Sequence, residues 1–133
     1  MNGRMHDGRD RGDISVMAMV LLLVVFAASG LIVDGGRVMS ARRHASNVAE
    51  AAARAAVSTL TPASDLDPVA ARAAALSHAT RAGVAATDVS VVVGADTVRV
   101  TVIERRRSVF LALGGVSVLT VRATGVARVV FSP

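Results

Sequence analysis

An unbroken run of hydrophobic residues stands near the start of the chain. The twenty residues 14–33 carry no charge and lie between Asp13 and Asp34. At about 1.5 Å per residue, a helix of this length spans roughly 30 Å, the thickness of a bilayer's hydrocarbon core. The pattern therefore predicts a transmembrane helix over residues 14–33, a tail of residues 1–13 before it and a domain of residues 34–133 after it.

Two other interpretations of this run stay open. A cleaved secretory signal would use residues 14–26 as its apolar region and Ala27-Ala28-Ser29 as its cleavage site. Leu31-Ile32-Val33 continues the apolar run beyond that site, which favours a retained span over a signal or a buried soluble helix. Charge does not decide the orientation, because three arginines precede the span and three follow it closely: Arg4, Arg9 and Arg11, then Arg37, Arg42 and Arg43.

The segment Asp34-Gly35-Gly36-Arg37 marks the end of the apolar run. Each glycine weakens a helix by about 1 kcal/mol relative to alanine, so the pair predicts a bend or hinge at the exit from the span. Asp34 and Arg37 are three residues apart, a spacing that allows an ion pair across one helical turn.

A helical period continues from Val38 to Leu60. Its apolar positions are mostly alanine, and they form one packing face, which consists of Val38, Ala41, Ala45, Val48, Ala49, Ala52 and Ala56. Polar residues fall largely on the other faces, where Glu50 and Arg54 form a favourable i,i+4 pair. Small residues let a second backbone approach closely. The face therefore predicts packing either on the domain's own sheet or against a neighbouring subunit.

A second, shorter helix follows a loop that includes Thr61 and Pro62. Asp67 is suited to cap this helix, and Pro68 is suited to its first position. The helical pattern extends to about Ala82, and Gly83 ends it.

The remaining residues alternate as strands do. Strands are predicted over residues 89–93 and 98–104, joined by a hairpin at 94–97, and over about 116–130. Gly125 in the last strand predicts a bulge or a closely packed helix. The fold class is α+β: a transmembrane helix that continues into a long amphipathic helix, a short second helix and a small three-stranded antiparallel sheet.

Between the last two predicted strands, a cluster of arginines is followed directly by a short apolar segment. Arg105-Arg106-Arg107 predicts a basic corner, and residues 109–113 predict a short apolar, helical segment that contains Phe110. This segment is interpreted either as core, folded onto the sheet, or as an interaction loop in which Arg105, Arg106, Arg107 and Phe110 contact a partner.

Composition narrows the classes of function. All fifteen basic residues are arginine, and the net charge is +5, but they are spread along the chain and no Tyr or Trp accompanies them, which predicts no nucleic-acid partner. The absence of cysteine excludes disulfides and thiolate metal sites. His6, His44 and His78 are scattered, and no catalytic or phosphate-binding motif appears. We therefore expect no enzyme activity, no cofactor and no small-molecule substrate.

Four segments of the chain share their pattern with a known family. They are Arg11-Gly12 before the span, Val33-Asp34-Gly35-Gly36-Arg37 at its end, the Ala-rich residues 45–56, and Val109-Phe110 with the strand 118–130. Together they resemble TadE/TadG-like proteins of the tight-adherence (Flp) pilus system. The resemblance implies a pilin-like, non-enzymatic minor pilin or pseudopilin of the inner membrane. Its tail would be cytoplasmic and its domain extracytoplasmic, and its partners would be other pilus or secretion-apparatus proteins.

The resemblance also implies a processing site. Family members can be cut by a prepilin peptidase after a glycine, and Gly12 is the matching position, which leaves Asp13 as the new N-terminus. Pilin subunits commonly carry Glu five residues after the cut, where Met17 stands here. Because a buried charge needs a partner, the missing Glu argues against a repeating major pilin and favours a tip, initiating or assembly-platform protein. The alternative function is a membrane-anchored extracytoplasmic binding or regulatory module unrelated to pili.

Overall fold

The computed structural model describes residues 9–59 and 67–129. Its elements are α1 (Arg9–Val57), α2 (Pro68–Arg81), β1 (Val89–Val93), β2 (Thr97–Arg107) and β3 (Val118–Arg128), with short 3-10 helices at Ala86–Asp88 and Leu111–Gly114. These elements confirm the predicted α+β fold with its long apolar helix, short second helix and three-stranded antiparallel sheet. The predicted tail up to residue 8, the predicted loop from Thr61 to Leu66 and Val130 lie outside the described residues.

The first helix, α1, is continuous over 49 residues, which corresponds to roughly 75 Å. It runs through Asp34-Gly35-Gly36-Arg37 without interruption, so the predicted hinge is not a break in the helix. Two glycines cost a helix only about 2 kcal/mol together, and the contacts made by α1 on the C-terminal side of this point outweigh that cost.

The two halves of α1 have opposite environments. From Gly12 to Ser29 every residue is exposed, including the large side chains of Leu22 and Phe26. From Ala41 onward one face is buried in the domain. By length and composition α1 is a candidate membrane span.

The small-residue face of α1 packs on the domain's own sheet and on α2. Ala45, Ala49, Ala52 and Ala56 are fully buried, and Val48 and Ala41 nearly so, while Val38 is half-buried. Facing them in the core are Val98, Val100 and Val102 of β2 and Ala71, Ala75 and Ala79 of α2.

Gly125 of β3 sets the distance between sheet and helix. A Cβ atom at Gly125 would lie 2.4 Å from the carbonyl carbon of Ala49 and from the backbone nitrogen of Glu50. Any side chain here would therefore push the helix away from the sheet, which confirms the close helix packing predicted for this glycine.

The sheet is an antiparallel meander in the order β1-β2-β3. β2 is longer than predicted, because Arg105, Arg106 and Arg107 continue the ladder and pair with Thr120, Leu119 and Val118 of β3. The predicted basic corner is therefore wrong: these arginines lie in a strand. The β2–β3 loop consists of residues 108–117.

The second helix begins and ends as predicted. The Asp67 side chain accepts a hydrogen bond from the backbone N–H of Val69 at 2.9 Å, and Pro68 occupies the first turn. After the C-cap Ala82, Gly83 adopts a positive φ of 88°, a conformation that other residues rarely take.

Candidate functional site

The β2–β3 loop is fastened to α1 by one carboxylate. Asp34, which is fully buried, accepts hydrogen bonds from the backbone N–H groups of Val109 (2.9 Å), Phe110 (3.0 Å) and Leu111 (2.8 Å). Three successive backbone donors that converge on one carboxylate form a charge-assisted nest. Asp34 thus connects the end of the apolar run to the β2–β3 loop.

These hydrogen bonds also set the protonation of Asp34. The amides of Leu111 and Val109 hold the pKa of this carboxyl below its ordinary value of about 3.8, and the amide of Phe110 and the charge of Arg37 act in the same direction against the effect of burial. The predicted ion pair between Asp34 and Arg37 is wrong, because the described residues form no such contact within 4 Å. The loop amides occupy the carboxylate instead.

One helical turn before Asp34, Gly30 receives the ring of Phe110. A Cβ atom at Gly30 would lie 2.3 Å from the ring carbon Cγ of Phe110, so only glycine admits the ring at this depth. Gly30 is buried although its neighbours in the apolar run are exposed. The loop is therefore seated on α1 at two points, a ring against Gly30 and a row of amides on Asp34.

The loop that makes these contacts is closed by its own hydrogen bonds. The backbone N–H of Ser108 donates to the carbonyl of Ser117 at 3.1 Å, and the N–H of Val116 donates to the carbonyl of Leu111 at 2.9 Å. The Ser108 hydroxyl adds a hydrogen bond to the Val116 carbonyl. The loop is thus a compact unit that presents Phe110 and Leu113 at its tip.

An apolar groove lies between this loop and the apolar half of α1. Its helix wall contains Leu23, Phe26 and Leu31, and its loop wall contains Phe110 and Leu113. Leu113 is 87 % exposed. The groove has a volume of about 470 Å³, within the range of about 300–1,000 Å³ that is typical of ligand pockets.

A basic cleft lies on the domain side of Asp34. Arg37 and Ser40 of α1 and Arg106 and Arg107 of β2 line it, with Ala41 at its base. The structure therefore brings Asp34, Arg37, Arg106, Arg107 and Phe110 to one junction between span and domain. Arg105, which was grouped with them in the sequence, pairs instead with Asp88.

A polar cluster that the sequence did not predict lies beside this cleft. Glu104 lies on the core-facing side of β2 and is almost fully buried. It contacts His44 Nδ1 and accepts a hydrogen bond from Arg106 Nη2 at 2.9 Å. The alternation Val98, Val100, Val102, Glu104 placed this carboxylate on the core face, and that was the available signal. Among the described residues no group of three His, Cys, Asp or Glu is placed to hold a metal ion.

The predicted processing site is remote from this junction. Gly12 and Asp13 lie exposed in the first turns of α1, roughly 33 Å along the helix from Asp34. A Cβ atom at Gly12 would meet no other part of the described structure within 4 Å.

Comparison with known proteins identifies the N-terminal segment. Residues 12–60 match the family described as "Tad: Putative Flp pilus-assembly TadE/G-like". The matched segment begins at Gly12 and covers the apolar run, Asp34 at the end of that run and the small-residue face of α1. No curated protein and no solved structure matches the chain. Residues 12–60 are therefore similar to the TadE/G-like family of Flp pilus assembly, which confirms the resemblance over this segment of the sequence.

Proposed function

We propose that this protein is a non-enzymatic, single-pass membrane component of the Flp pilus-assembly apparatus, a minor pilin or pseudopilin that acts by helix packing. The observation that carries the proposal is the contrast along α1. One half packs in the core of a small domain, and the other half is an exposed apolar helix that the described part of the domain covers only at Gly30.

The exposed half of α1 is more stable in an apolar environment than in water. Leu21, Leu22, Leu23, Val24, Val25 and Phe26 each expose more than half of their surface. Burial of such side chains is worth about 1.5–3 kcal/mol each, so a bilayer or a bundle of neighbouring helices stabilises this segment strongly. We place residues 14–33 across the inner membrane with the domain on the extracytoplasmic side.

Within the apparatus, we propose that the protein is not the subunit that repeats along the filament. Met17 stands exposed where a repeating pilin would present a carboxylate to the amino terminus of its neighbour, counted from a cut after Gly12. A methionine there is compatible with a tip, an initiating complex or the assembly platform, where each copy meets different neighbours.

The non-enzymatic assignment is supported by how the polar side chains around His44 are used. His44 and Arg106 both contact Glu104, and Arg105 contacts Asp88 at 2.5 Å. These contacts join α1 to β2 and β2 to the 3-10 helix at Ala86–Asp88, and such pairing suits a structural role better than substrate chemistry.

Crosslinking tests the proposal. Because the chain has no cysteine, each single-cysteine variant carries a unique probe. Leu22→Cys in the apolar half of α1 and Val92→Cys on the outer face of β1 are matched, since the native side chains are 59 % and 60 % exposed. In cells that assemble the pilus, we expect Leu22→Cys to crosslink to pilus or platform proteins and Val92→Cys to remain without them.

Two results would contradict this function. Crosslinks to a partner through Val92→Cys alone would favour the membrane-anchored binding or regulatory module. Recovery of the Leu22→Cys variant in the soluble fraction would remove the membrane anchor.

A further inference from the structure

We propose that the junction between span and domain is a binding site for an anionic phospholipid, with an acyl chain in the apolar groove and the phosphate in the basic cleft. The site rests on the proposed function in one respect, namely that residues 14–33 lie in a membrane. It goes beyond that function by assigning a ligand to Arg37, Arg107 and the tip of the β2–β3 loop.

The parts of the site follow one another along α1 in the order of the parts of a lipid. Phe26, Gly30, Asp34 and Arg37 follow one another at helical spacing on one face. Phe26 in the groove lies about 12 Å from Asp34 towards the middle of the apolar run, and Arg37 lies about 5 Å beyond Asp34 on the domain side. If the hydrocarbon ends where the apolar run ends, the groove faces acyl chains and the cleft faces headgroups.

The tip of the β2–β3 loop exposes apolar side chains. Leu113 is 87 % exposed and Phe110 37 %, although both lie beside the apolar half of α1. In water such exposure costs about 25 cal/mol per Å² of apolar surface, whereas in hydrocarbon it costs nothing. The groove wall is itself the lipid-facing surface of the span, so lipid reaches the groove without any rearrangement of the loop.

The basic cleft carries positive charge that the described residues do not balance. Arg37 and Arg107 form no ion pair with the described residues, and Asp34, the nearest carboxylate along α1, is occupied by three loop amides. Arg106 is held by Glu104, which leaves the two outer guanidinium groups to bind the phosphate. Guanidinium and phosphate match in geometry and charge.

Tryptophan fluorescence tests the position of the loop, because the chain contains neither Trp nor Tyr. Leu113→Trp, Leu22→Trp and Val92→Trp each introduce the sole tryptophan of the full-length protein, at the loop tip, in the span and on the outer face of the sheet. In vesicles whose acyl chains are brominated, we expect quenching of Leu113→Trp and Leu22→Trp and none of Val92→Trp.

Native mass spectrometry with added phosphatidylglycerol or phosphatidylcholine tests whether the two arginines select an anionic headgroup. We expect the wild-type protein to retain phosphatidylglycerol preferentially. Arg37→Gln/Arg107→Gln should reduce that preference by about 30-fold, since each arginine near a membrane surface contributes about 1 kcal/mol. The matched control Arg99→Gln/Arg122→Gln removes the same charge from the outer face of the sheet and should leave the preference unchanged.

The outcomes separate the site from the function on which it rests. Without quenching of Leu22→Trp, both the span and the site are wrong. With quenching of Leu22→Trp but not of Leu113→Trp, the span stands and the site is overturned. Equal losses in the two double-arginine variants would also overturn the site, because the preference would then reflect net charge alone.

Discussion

Asp34 is a buried carboxylate whose three hydrogen-bond donors come from a loop 75 to 77 residues later in the chain. Backbone amides balance the charge of this carboxylate. These hydrogen bonds therefore do not depend on which side chains the loop residues carry. Gly30 adds selectivity for the ring of Phe110, because any side chain at position 30 would occupy the space of that ring. These two residues fix the loop against the helix.

A pH titration tests the Asp34 contact. Its pKa is lowered in the folded protein, so the hydrogen bonds stabilise the fold fully above the ordinary value of about 3.8 and are lost as the pH falls through the lower folded value. We expect the amide NMR shifts of Val109, Phe110 and Leu111 to follow one transition with a midpoint below 3.8. Asp34→Asn should abolish this transition, whereas the exposed control Asp96→Asn should not. A midpoint at or above 3.8 would contradict the contact.

At the scale of elements, the packing of α1 on β3 depends on Gly125. Gly125→Ala places a methyl group 2.4 Å from the backbone of Ala49, so helix and sheet must separate. We expect a loss of about 1–3 kcal/mol in the free energy of unfolding, measured with the full-length protein in detergent micelles. Gly114→Ala is the control, because a Cβ atom there would meet nothing within 4 Å. Equal stability of the two variants would show that helix and sheet are not in contact at Gly125.

Continuity of α1 gives a second prediction at this scale. A Cβ atom at Gly35 or Gly36 would meet nothing within 4 Å, so Gly35→Ala/Gly36→Ala should fit the helix and raise its stability by about 1–2 kcal/mol. Pilus assembly should continue at the wild-type level. A variant that is more stable but fails to assemble pili would show that the two glycines act as a hinge in the working protein.

Local patterns in the sequence were sufficient for most elements of this fold. The helical period from Val38, the Asp67 cap and the alternation in β2 and β3 each express a preference of neighbouring residues, and each appears in the structure. The partner of Asp34 could not be predicted in this way, because backbone amides of a distant loop leave no mark in the sequence. Similarly, three successive arginines by themselves suggest a turn. They lie in a strand because β3 pairs with them, from Arg105↔Thr120 to Arg107↔Val118, and this pairing cannot be read from the arginines alone.

In the molecule as a whole, α1 joins two environments in one continuous helix. Its C-terminal half packs in the core of a domain that is rich in alanine and valine, and in its N-terminal half residues 12–29 are all exposed. The β2–β3 loop reinforces the point where the two halves meet. Continuous helix and the loop contacts at Gly30 and Asp34 thus both connect the apolar half of α1 to the domain.

The proposed function requires that residues 14–33 are retained in the mature protein as the first half of a pilin-type helix. Mass spectrometry of the protein extracted from membranes tests it most directly, because the mass at the N-terminus distinguishes the three fates of the run. We predict a mature chain that begins at Asp13 and still carries the whole apolar segment. An intact Met1 would contradict the processing after Gly12, and a chain that begins near Gly30 or Leu31 would contradict the retention of the apolar segment.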